Sequence, residues 1–363
     1  IRFLIRLGEL ARVAIVAGLR TPFAKSGTVF RDVPAVALAR HAARELLYRT
    51  ELDGREVDEI VFGQVVPSVL TPNVAREVSL LPQFLPSVPA YTLNRACAPS
   101  GQTVSNAADQ IFLGHADTII AGGVESLSNI PILHSQRMSR ILVEAGKAKT
   151  LGARVGALAR TRLADLRPVA PAIAEPSTGE SMGQSAEKMA KENGITRDAQ
   201  DRLALQSHHR AAAATADGRL PSEVAPWFGG KEMDEIVASD NGIRSDASLE
   251  ALAKLPPVFD RKYGSVTAGN SSPLTDGAAA VLLMSAAKAK ALGYEPLAFV
   301  RSYAVSAVDP AWQLLMGPAY AVPKALERAG IGWEQLGLVE IHEAFAAQVL
   351  SNAQAWGSRE WAE

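Results

Sequence analysis

The chain is poor in cysteine, in net charge and in long apolar runs. Cys97 is the only cysteine in 363 residues, which excludes an internal disulfide and a metal cage of several thiolates and suits a reducing compartment. A formal net charge of -1 argues against nucleic acid as the main partner. No apolar run approaches the roughly twenty residues of a membrane-spanning helix. The balance of 48% hydrophobic and 21% charged residues instead favours a globular protein of about two or three packed units.

The lone cysteine lies where an extended segment passes into a helix. Residues 88–97 read as apolar extended chain, and helical spacing of apolar residues begins after Ser100. The residues with this spacing are Val104, Ala107, Ala108, Ile111 and Phe112. A helix N-terminus has unpaired N–H groups and a positive dipole end, which favour a thiolate. On position alone, Cys97 is either such a reactive thiolate or a buried structural thiol.

The order of the predicted elements indicates an α/β protein. Strand-like runs at 13–17, 59–66 and 118–121 alternate with helical stretches such as 35–48. Both faces of these strands are apolar, which predicts a parallel sheet covered by helices on each side.

From about residue 133 the chain changes to polar, Ala-rich helices and glycine-rich loops, with the clearest helices at 184–193 and 198–217. A strand at 278–284 then returns to the first pattern. We therefore predict an inserted loop domain within a first sheet domain, followed by a third unit. The predicted boundaries are 12–132 and 258–285 for the first domain, 133–257 for the insertion and 286–363 for the third unit.

The third unit repeats the first. The helix-to-strand spacing of 45–63 recurs at 325–342, so a second, related sheet is predicted with a strand at 338–341. Few residues follow this second copy before the sequence stops, and we therefore expect the second sheet domain to be truncated.

Six motifs make the chain resemble the thiolases, through their order and their spread over most of the sequence. They are Asn94-Arg-Ala-Cys-Ala-Pro-Ser-Gly-Gln102, Ala121-Gly-Gly-Val-Glu-Ser126, Ser181-Met-Gly-Gln184, Val266-Thr-Ala-Gly-Asn-Ser-Ser272, Thr275-Asp-Gly277 and His342-Glu-Ala-Phe-Ala-Ala-Gln348. The resemblance implies two related α/β sheet domains in a layered αβαβα arrangement, with an inserted loop domain. It also implies that Cys97 is a nucleophile.

The resemblance further implies an acyl-CoA acyltransferase with coenzyme A as substrate and with no bound cofactor or metal. In the family, a thiolate attacks the keto group of a 3-ketoacyl-CoA, acetyl-CoA leaves, and free CoA captures the acyl-enzyme. Each step develops charge on an oxygen, so fixed hydrogen-bond donors are required. By this resemblance Cys97 is the nucleophile, and His342 orients the water of one oxyanion hole.

A second set of residues resembles the CoA contacts of the family. A guanidinium can stack on adenine and bind phosphate in a fork, which suits Arg244. Phe259 and Phe345 would flank the pantetheine chain. The remaining expected contacts are Met182 near the thioester, and Ala268 and Ser272 at the pantetheine amides. The alternative for each aromatic side chain is plain core packing.

His342 stands where most thiolases have asparagine, and the cysteine loop 97–102 is longer than usual. Both features are similar to the β-subunit of the fatty-acid oxidation trifunctional complex. This likeness implies a 3-ketoacyl-CoA thiolase of β-oxidation, in the cytoplasm of a bacterium rather than in a mitochondrion. It also implies a homodimer, and it leaves open a complex with a hydratase/dehydrogenase α-subunit.

The family's Gly-His-Pro loop and second cysteine have no counterpart in this sequence. We therefore expect the C-terminal part of the family pattern to be missing and the chain alone to show little thiolysis. The alternatives are a biosynthetic thiolase of the acetoacetyl-CoA type, a condensing ketoacyl synthase, and a non-catalytic CoA-binding protein.

Residues 137–167 form a basic stretch. Its cations include Arg137, Arg140, Lys147, Lys149, Arg154, Arg160, Arg162 and Arg167, against Glu144 and Asp165. A solvated helical face is the usual explanation. Attraction of CoA, docking of an α-subunit or contact with an anionic membrane are the functional ones, and we favour the last two.

Overall fold

The computed structural model describes residues 12–169, 174–230 and 234–358. The strands are β1 (Val13–Arg20), β2 (Ala24–Lys25), β3 (Glu59–Gly63), β4 (Ala90–Leu93), β5 (Thr118–Ser126), β6 (Trp227–Gly229), β7 (Glu235–Val237), β8 (Thr275–Ser285) and β9 (Ala298–Val300). The helices are α1 (Ala35–Thr50), α2 (Val74–Ser79), α3 (Pro99–Phe112), α4 (Gln136–Lys147), α5 (Leu151–Leu158), α6 (Met182–Glu192), α7 (Arg197–Ala216), α8 (Arg219–Glu223), α9 (Leu249–Ala253), α10 (Ala286–Ala291), α11 (Gly317–Ala329) and α12 (Ala346–Trp356).

A seven-stranded sheet of order β4-β3-β5-β8-β1-β9, with β2 paired to β8, forms the centre of the fold. Strands β3, β4 and β5 run parallel to one another, whereas β8 runs antiparallel to both β5 and β1. The sheet is therefore mixed: the three strands from which a parallel sheet was predicted, β1, β3 and β5, run in one direction, and β8 runs in the opposite one. Two apolar faces on a strand indicate that helices cover both sides of the sheet, but this coverage does not determine the direction of each strand.

Alternate residues of the sheet build two separate cores, one on each face. Ile60, Ile120 and Leu282 pack with the buried face of α1. Their neighbours Val61 and Ile119 pack on the other face with α3. This strict alternation follows from the period of two in a strand, and it produces a helix–sheet–helix sandwich.

The second predicted sheet is not formed among the described residues. Segment 338–341, predicted as a strand, has no regular structure, and Leu338 is 83% exposed. A strand needs a neighbour for its backbone hydrogen bonds, and the described part of the chain offers none here. β9, which lies in the predicted third unit, instead extends the first sheet by pairing with β1.

The middle block is largely helical, as predicted. α6 and α7 confirm the two predicted helices, and Gly218 follows α7 with a φ of 85°, the left-handed conformation that ends a helix. The short hairpin of β6 and β7 packs Trp227 onto the α1 side of the sheet. The domain boundaries stay predictions. Within the described ranges, no helix has the length and apolar character that a membrane span requires.

His41 is a titratable group inside the first core. Its side chain on α1 is 4% exposed and meets the ring of Trp227 edge-on, with centroids 5.2 Å apart. Arg44 lies 3.2 Å from the Nδ1 atom, so Nδ1 acts as the acceptor and the ring is neutral. Burial lowers the pKa of His41 below its ordinary value, because the charged ring would lose its hydration.

We expect stability to depend on this histidine at acid pH. The unfolded chain binds the proton near pH 6.5 and the folded chain only at lower pH, so the free energy of unfolding falls as pH decreases below about 6.5. The slope from one such group is at most about 1.4 kcal/mol per pH unit. Urea unfolding at pH 8 and pH 5.5 should show a smaller pH dependence for His41→Gln than for the wild type. The exposed His115→Gln is the control, and equal pH dependence in all three proteins would contradict the assignment.

Candidate active site

Cys97 lies on a sharp turn between β4 and α3. Ala96, directly before it, has a φ of 39°, in the left-handed region that a residue with a Cβ rarely adopts. The N–H of Ala98 donates to the carbonyl of Arg95 over 2.8 Å and closes the turn. The turn is strained at this point, and Cys97 is exposed.

Two glycines at the carboxyl ends of neighbouring parallel strands let the first turn of α3 approach the sheet. Gly63 of β3 is paired with Gly123 of β5. A Cβ on Gly63 would lie 2.5 Å from the carbonyl carbon of Pro99, and one on Gly123 would lie 1.8 Å from the Oγ of Ser100. At Gly63 the obstacle is backbone, so only hydrogen fits there, whereas at Gly123 the obstacle is the Ser100 side chain. The two glycines thus allow the cysteine turn its close approach to the sheet.

Asn94 and Glu125 fix the loops on either side of the turn. The Asn94 amide donates to the carbonyls of Gln64 and Val65 over 3.0 and 2.8 Å, and its Oδ1 accepts from the N–H of Ala96. The Glu125 carboxylate accepts from the N–H of Val65 over 2.8 Å. Burial raises the pKa of Glu125, with the backbone donors acting in the opposite direction.

The thiol itself differs from the expectation of a stabilised thiolate. Burial by the surrounding protein raises the pKa of the Cys97 thiol above its ordinary value, although the residue is exposed. Within the described ranges, no group donates a hydrogen bond to the sulfur. Pro99 opens α3 and has no N–H to offer, so the first turn of this helix provides one donor fewer for a thiolate.

A second cluster unites three of the predicted CoA residues. Met182 begins α6, and a Cβ on the next residue, Gly183, would fall 1.9 Å from the ring of Phe259. The rings of Phe259 and Phe345 meet edge-on, with centroids 6.0 Å apart and planes at 80°. Both rings are half-buried and pack against the buried residues Ala186, Val266 and Ala347, so the alternative of plain core packing stays open. They form an apolar wall beside the start of α6.

The glycine-rich turn that ends at Ser272 is tied to the segment that follows His342. The N–H of Ser272 donates to the carbonyl of Ala344 over 2.9 Å, and Ala346 donates to the carbonyl of Asn270 over 3.0 Å. Ala268 and Ser272 are exposed on this turn, and so is His342. These contacts, rather than the predicted strand, fix the His342 segment. Among the described residues, no hydrogen bond joins Cys97 to His342.

Two buried polar residues that sequence reasoning missed hold the glycine-rich turn. Glu187 of α6 is 3% exposed and accepts from the N–H groups of Ser265 and Val266 over 2.8 and 2.9 Å. Asn270, also 3% exposed, donates to Asp201 of α7 over 2.9 Å. The sequence did offer a signal for Glu187, because its position places it on the apolar face of the predicted helix. A buried carboxylate needs hydrogen-bond partners, so such a position indicates a structural role.

Arg244 is exposed beside α7. Its backbone N–H donates to Nδ1 of His208 over 3.3 Å. Nδ1 of this ring therefore carries no proton and acts as the acceptor. Burial lowers the pKa of His208, and the charges of Arg244 and Lys25 add to this effect. The neighbouring Ser207 donates its hydroxyl to Glu343, so one turn of α7 contacts both Arg244 and the His342 segment.

Two family models match the chain. The thiolase N-terminal domain matches residues 13–287, and the thiolase C-terminal domain matches residues 294–361. The chain belongs to the thiolase family.

Curated relatives agree with the family models. The 3-ketoacyl-CoA thiolase of Aeromonas salmonicida (strain A449) is 51% identical over 362 residues, which cover 98% of this chain and 81% of the relative. A 3-ketoacyl-CoA thiolase of Escherichia coli (strain 55989 / EAEC) is 50% identical, covering 97% of this chain and 80% of the relative.

Solved thiolase structures confirm the fold. The acetyl-CoA acetyltransferase of Bacillus anthracis matches with a TM-score of 0.84 at 32% identity, covering 96% of this chain and 84% of that one. The human mitochondrial 3-ketoacyl-CoA thiolase in complex with CoA matches with a TM-score of 0.82 at 31% identity, covering 97% and 84%.

The expected loss of the C-terminal part of the thiolase pattern is not supported. The C-terminal domain model matches residues 294–361, and the chain covers about four fifths of its curated relatives, 81% in one case. The expectation that the chain alone shows little thiolysis gains no support either.

We expect Gly63→Ala to move Cys97. The added methyl would meet the backbone of Pro99 and Ser100, which can yield only if the first turn of α3 shifts. Overpacking of this kind costs about 1–3 kcal/mol of unfolding free energy. The alkylation rate of Cys97 by iodoacetamide should change together with stability. Gly101→Ala is the matched control, because a Cβ there meets nothing within 4 Å. Equal stability and alkylation rates in both variants would contradict this role of Gly63.

Proposed function

We propose that this thiolase cleaves a 3-ketoacyl-CoA with free CoA, giving acetyl-CoA and an acyl-CoA two carbons shorter, in fatty-acid β-oxidation. The observation that carries the proposal is the exposed Cys97 on its strained turn at the start of α3, in a chain about half identical to 3-ketoacyl-CoA thiolases, 51% in one case. CoA is itself a substrate in this reaction, and we propose no bound cofactor.

In the proposed reaction the Cys97 sulfur attacks the keto carbon of the substrate. The bond between the keto carbon and the α-carbon breaks, its electron pair passes to the thioester as an enolate, and a proton on the α-carbon completes acetyl-CoA. The thiolate of a second CoA then attacks the acyl-enzyme and releases Cys97. Because the pKa of Cys97 is raised, the first step needs a base to remove the thiol proton.

His342 is proposed to orient the water of one oxyanion hole. An exposed imidazole can donate from one nitrogen and accept at the other, which suits a residue that fixes a water molecule. Its segment is held by the contacts of Ala344 and Ala346 with the glycine-rich turn. A preorganised donor of this kind acts on the negative oxygen of the transition state more than on the substrate.

The CoA contacts follow the second cluster. Phe259 and Phe345 are proposed to line the pantetheine chain, since two half-buried rings provide an apolar wall. Arg244 is exposed and proposed to bind adenine and phosphate. The remaining contacts proposed are Met182 at the thioester, and Ala268 and Ser272 at the pantetheine amides. The solved relative that carries CoA has the same fold as this chain.

A biosynthetic acetyl-CoA acetyltransferase is the second candidate. It is favoured by the likeness to the Bacillus anthracis enzyme, with its TM-score of 0.84. The two activities share the cysteine chemistry and differ in the acyl chain, so substrate length separates them.

We expect Cys97→Ser to reduce thiolysis by at least about 1,000-fold, because a hydroxyl is a far weaker nucleophile than a thiolate. The assay follows cleavage of a short-chain and a medium-chain 3-ketoacyl-CoA. Ser105→Ala, on a half-buried position of α3, is the control and should keep full activity.

Preference for the medium chain supports β-oxidation, and activity confined to acetoacetyl-CoA supports the second candidate. A wild-type protein that binds CoA but cleaves neither substrate would refute the enzymatic proposal in favour of a CoA-binding protein.

A surface on α4, α5 and the following loop combines exposed apolar and basic side chains, and we name it the α4–α5 surface. Its apolar members include Val143, Leu151, Val155 and Leu163, and its basic members include Arg140, Lys147 and Lys149. None of these three cations forms an ion pair with a described residue. Apolar side chains beside unpaired cations fit an anionic membrane, and we propose that this surface contacts one.

We expect the protein to sediment with vesicles that contain phosphatidylserine, less so with neutral vesicles or at high salt. Leu151→Ser and Lys147→Glu should each weaken this binding. Leu338→Ser removes an equally exposed leucine elsewhere and is the matched control. Salt-independent behaviour, or no binding to either vesicle, would contradict the membrane proposal and favour the α-subunit as the occupant.

We also propose a homodimer in the cytoplasm of a bacterium. The support for the dimer is the N-terminal sheet domain, matched over residues 13–287, through which family members pair. The support for the location is the single cysteine and the bacterial source of the curated relatives named above.

A further inference from the structure

Arg20 is a nearly buried cation that the thiolase chemistry does not use. It is the last residue of β1 and is 9% exposed. Its guanidinium forms a fork with the Asp240 carboxylate, with N–O distances of 2.7 and 2.9 Å, and its Nε donates to Glu223 over 2.6 Å. The guanidinium carbon also lies 4.8 Å from the ring centroid of Phe23. A fork of two parallel bonds fixes direction as well as distance.

Asp240 and Asn241 are joined to the segment that follows Arg20. Oδ1 of Asp240 accepts from the N–H of Phe23 over 2.7 Å. Asn241 accepts at Oδ1 from the N–H of Lys25 over 2.7 Å and donates from Nδ2 to the hydroxyl of Thr28 over 2.9 Å. We call Arg20, Asp240 and Asn241 the clamp. It attaches a long surface loop to the sheet through both charge and backbone contacts.

The loop held by the clamp leads directly to Arg244. On its far side, the N–H of Arg244 donates to His208, and the carbonyl of Ala247 lies 3.0 Å from Nε2 of His209. The segment 240–247 is thus held at one end by the sheet and at the other by α7. The segment has no regular structure of its own to keep its position, and the next helix begins only at Leu249.

We propose that the clamp positions Arg244 for the phosphate groups of CoA, which makes its members positioning residues of the thiolase. The proposal rests on the CoA-dependent function proposed above. A free loop would have to be ordered when CoA binds, at a cost in affinity, whereas a loop already fixed presents its guanidinium in place. The sequence separates Arg20 from Arg244 by most of the first domain and the insertion, so only the fold reveals their connection.

The test is a double-mutant cycle on CoA affinity, measured by isothermal titration calorimetry with the whole chain. Asn241 is exposed, so Asn241→Ala leaves the core intact. We expect this change to weaken CoA binding about tenfold in the wild type. In an Arg244→Ala background it should change affinity by less than about twofold, because the clamp acts through Arg244.

Further variants separate positioning from general damage. Asp240→Asn should weaken CoA binding and Arg20→Lys should do so less, because lysine keeps the charge and loses the fork. The alkylation rate of Cys97 should not change in any of them. Arg202→Ala, which breaks an exposed ion pair with Asp198 on α7, is the matched control and should bind CoA normally.

An equal loss in both backgrounds, or no loss on Asn241→Ala, would overturn the proposal. A wild-type protein that does not bind CoA would overturn the proposed function, and that outcome is recognised before any variant is made.

Discussion

The close approach of α3 to the sheet is the constraint on which the position of Cys97 depends. At the carboxyl ends of two parallel strands, Gly63 leaves room for the backbone of Pro99 and Ser100, and Gly123 leaves room for the Ser100 side chain. Ligand sites of α/β sheets lie at such ends, because the strands are followed there by loops and helix N-termini. The strain at Ala96 is tolerated because this packing fixes the residues on both sides of the turn.

The other half of the site has a different physical basis. The glycine-rich turn and the His342 segment have no strand of their own among the described residues. They depend on buried side chains, chiefly Glu187 and Asn270, which satisfy backbone groups of the turn. A buried carboxylate without these partners would be costly, so the interaction is mutual: the turn stabilises Glu187 as much as Glu187 holds the turn.

The sequence predicts much of this fold and less of its chemistry. The position of Cys97 between β4 and α3, the helices α6 and α7 and the strand β8 follow from apolar periodicity and a glycine cap, which are local signals. The direction of β8 and the irregular chain at 338–341 depend on which strands become neighbours, and no local pattern encodes that. The raised pKa of Cys97 depends on its burial in the folded protein, whereas the helix dipole that argued for a thiolate is a local property.

The two halves should therefore differ in how they tolerate change. Cys97 is positioned by backbone packing with almost no free space, where an added methyl must displace a helix. The residues proposed to bind CoA are positioned by side-chain hydrogen bonds to loops, and such a loop can lose one hydrogen bond while the fold is retained. Loops with few buried apolar contacts open at low free energy, so a lost contact there disorders the loop before it unfolds the protein. On the clamp proposal, CoA affinity therefore varies through residues such as Asn241 while the cysteine turn stays unchanged.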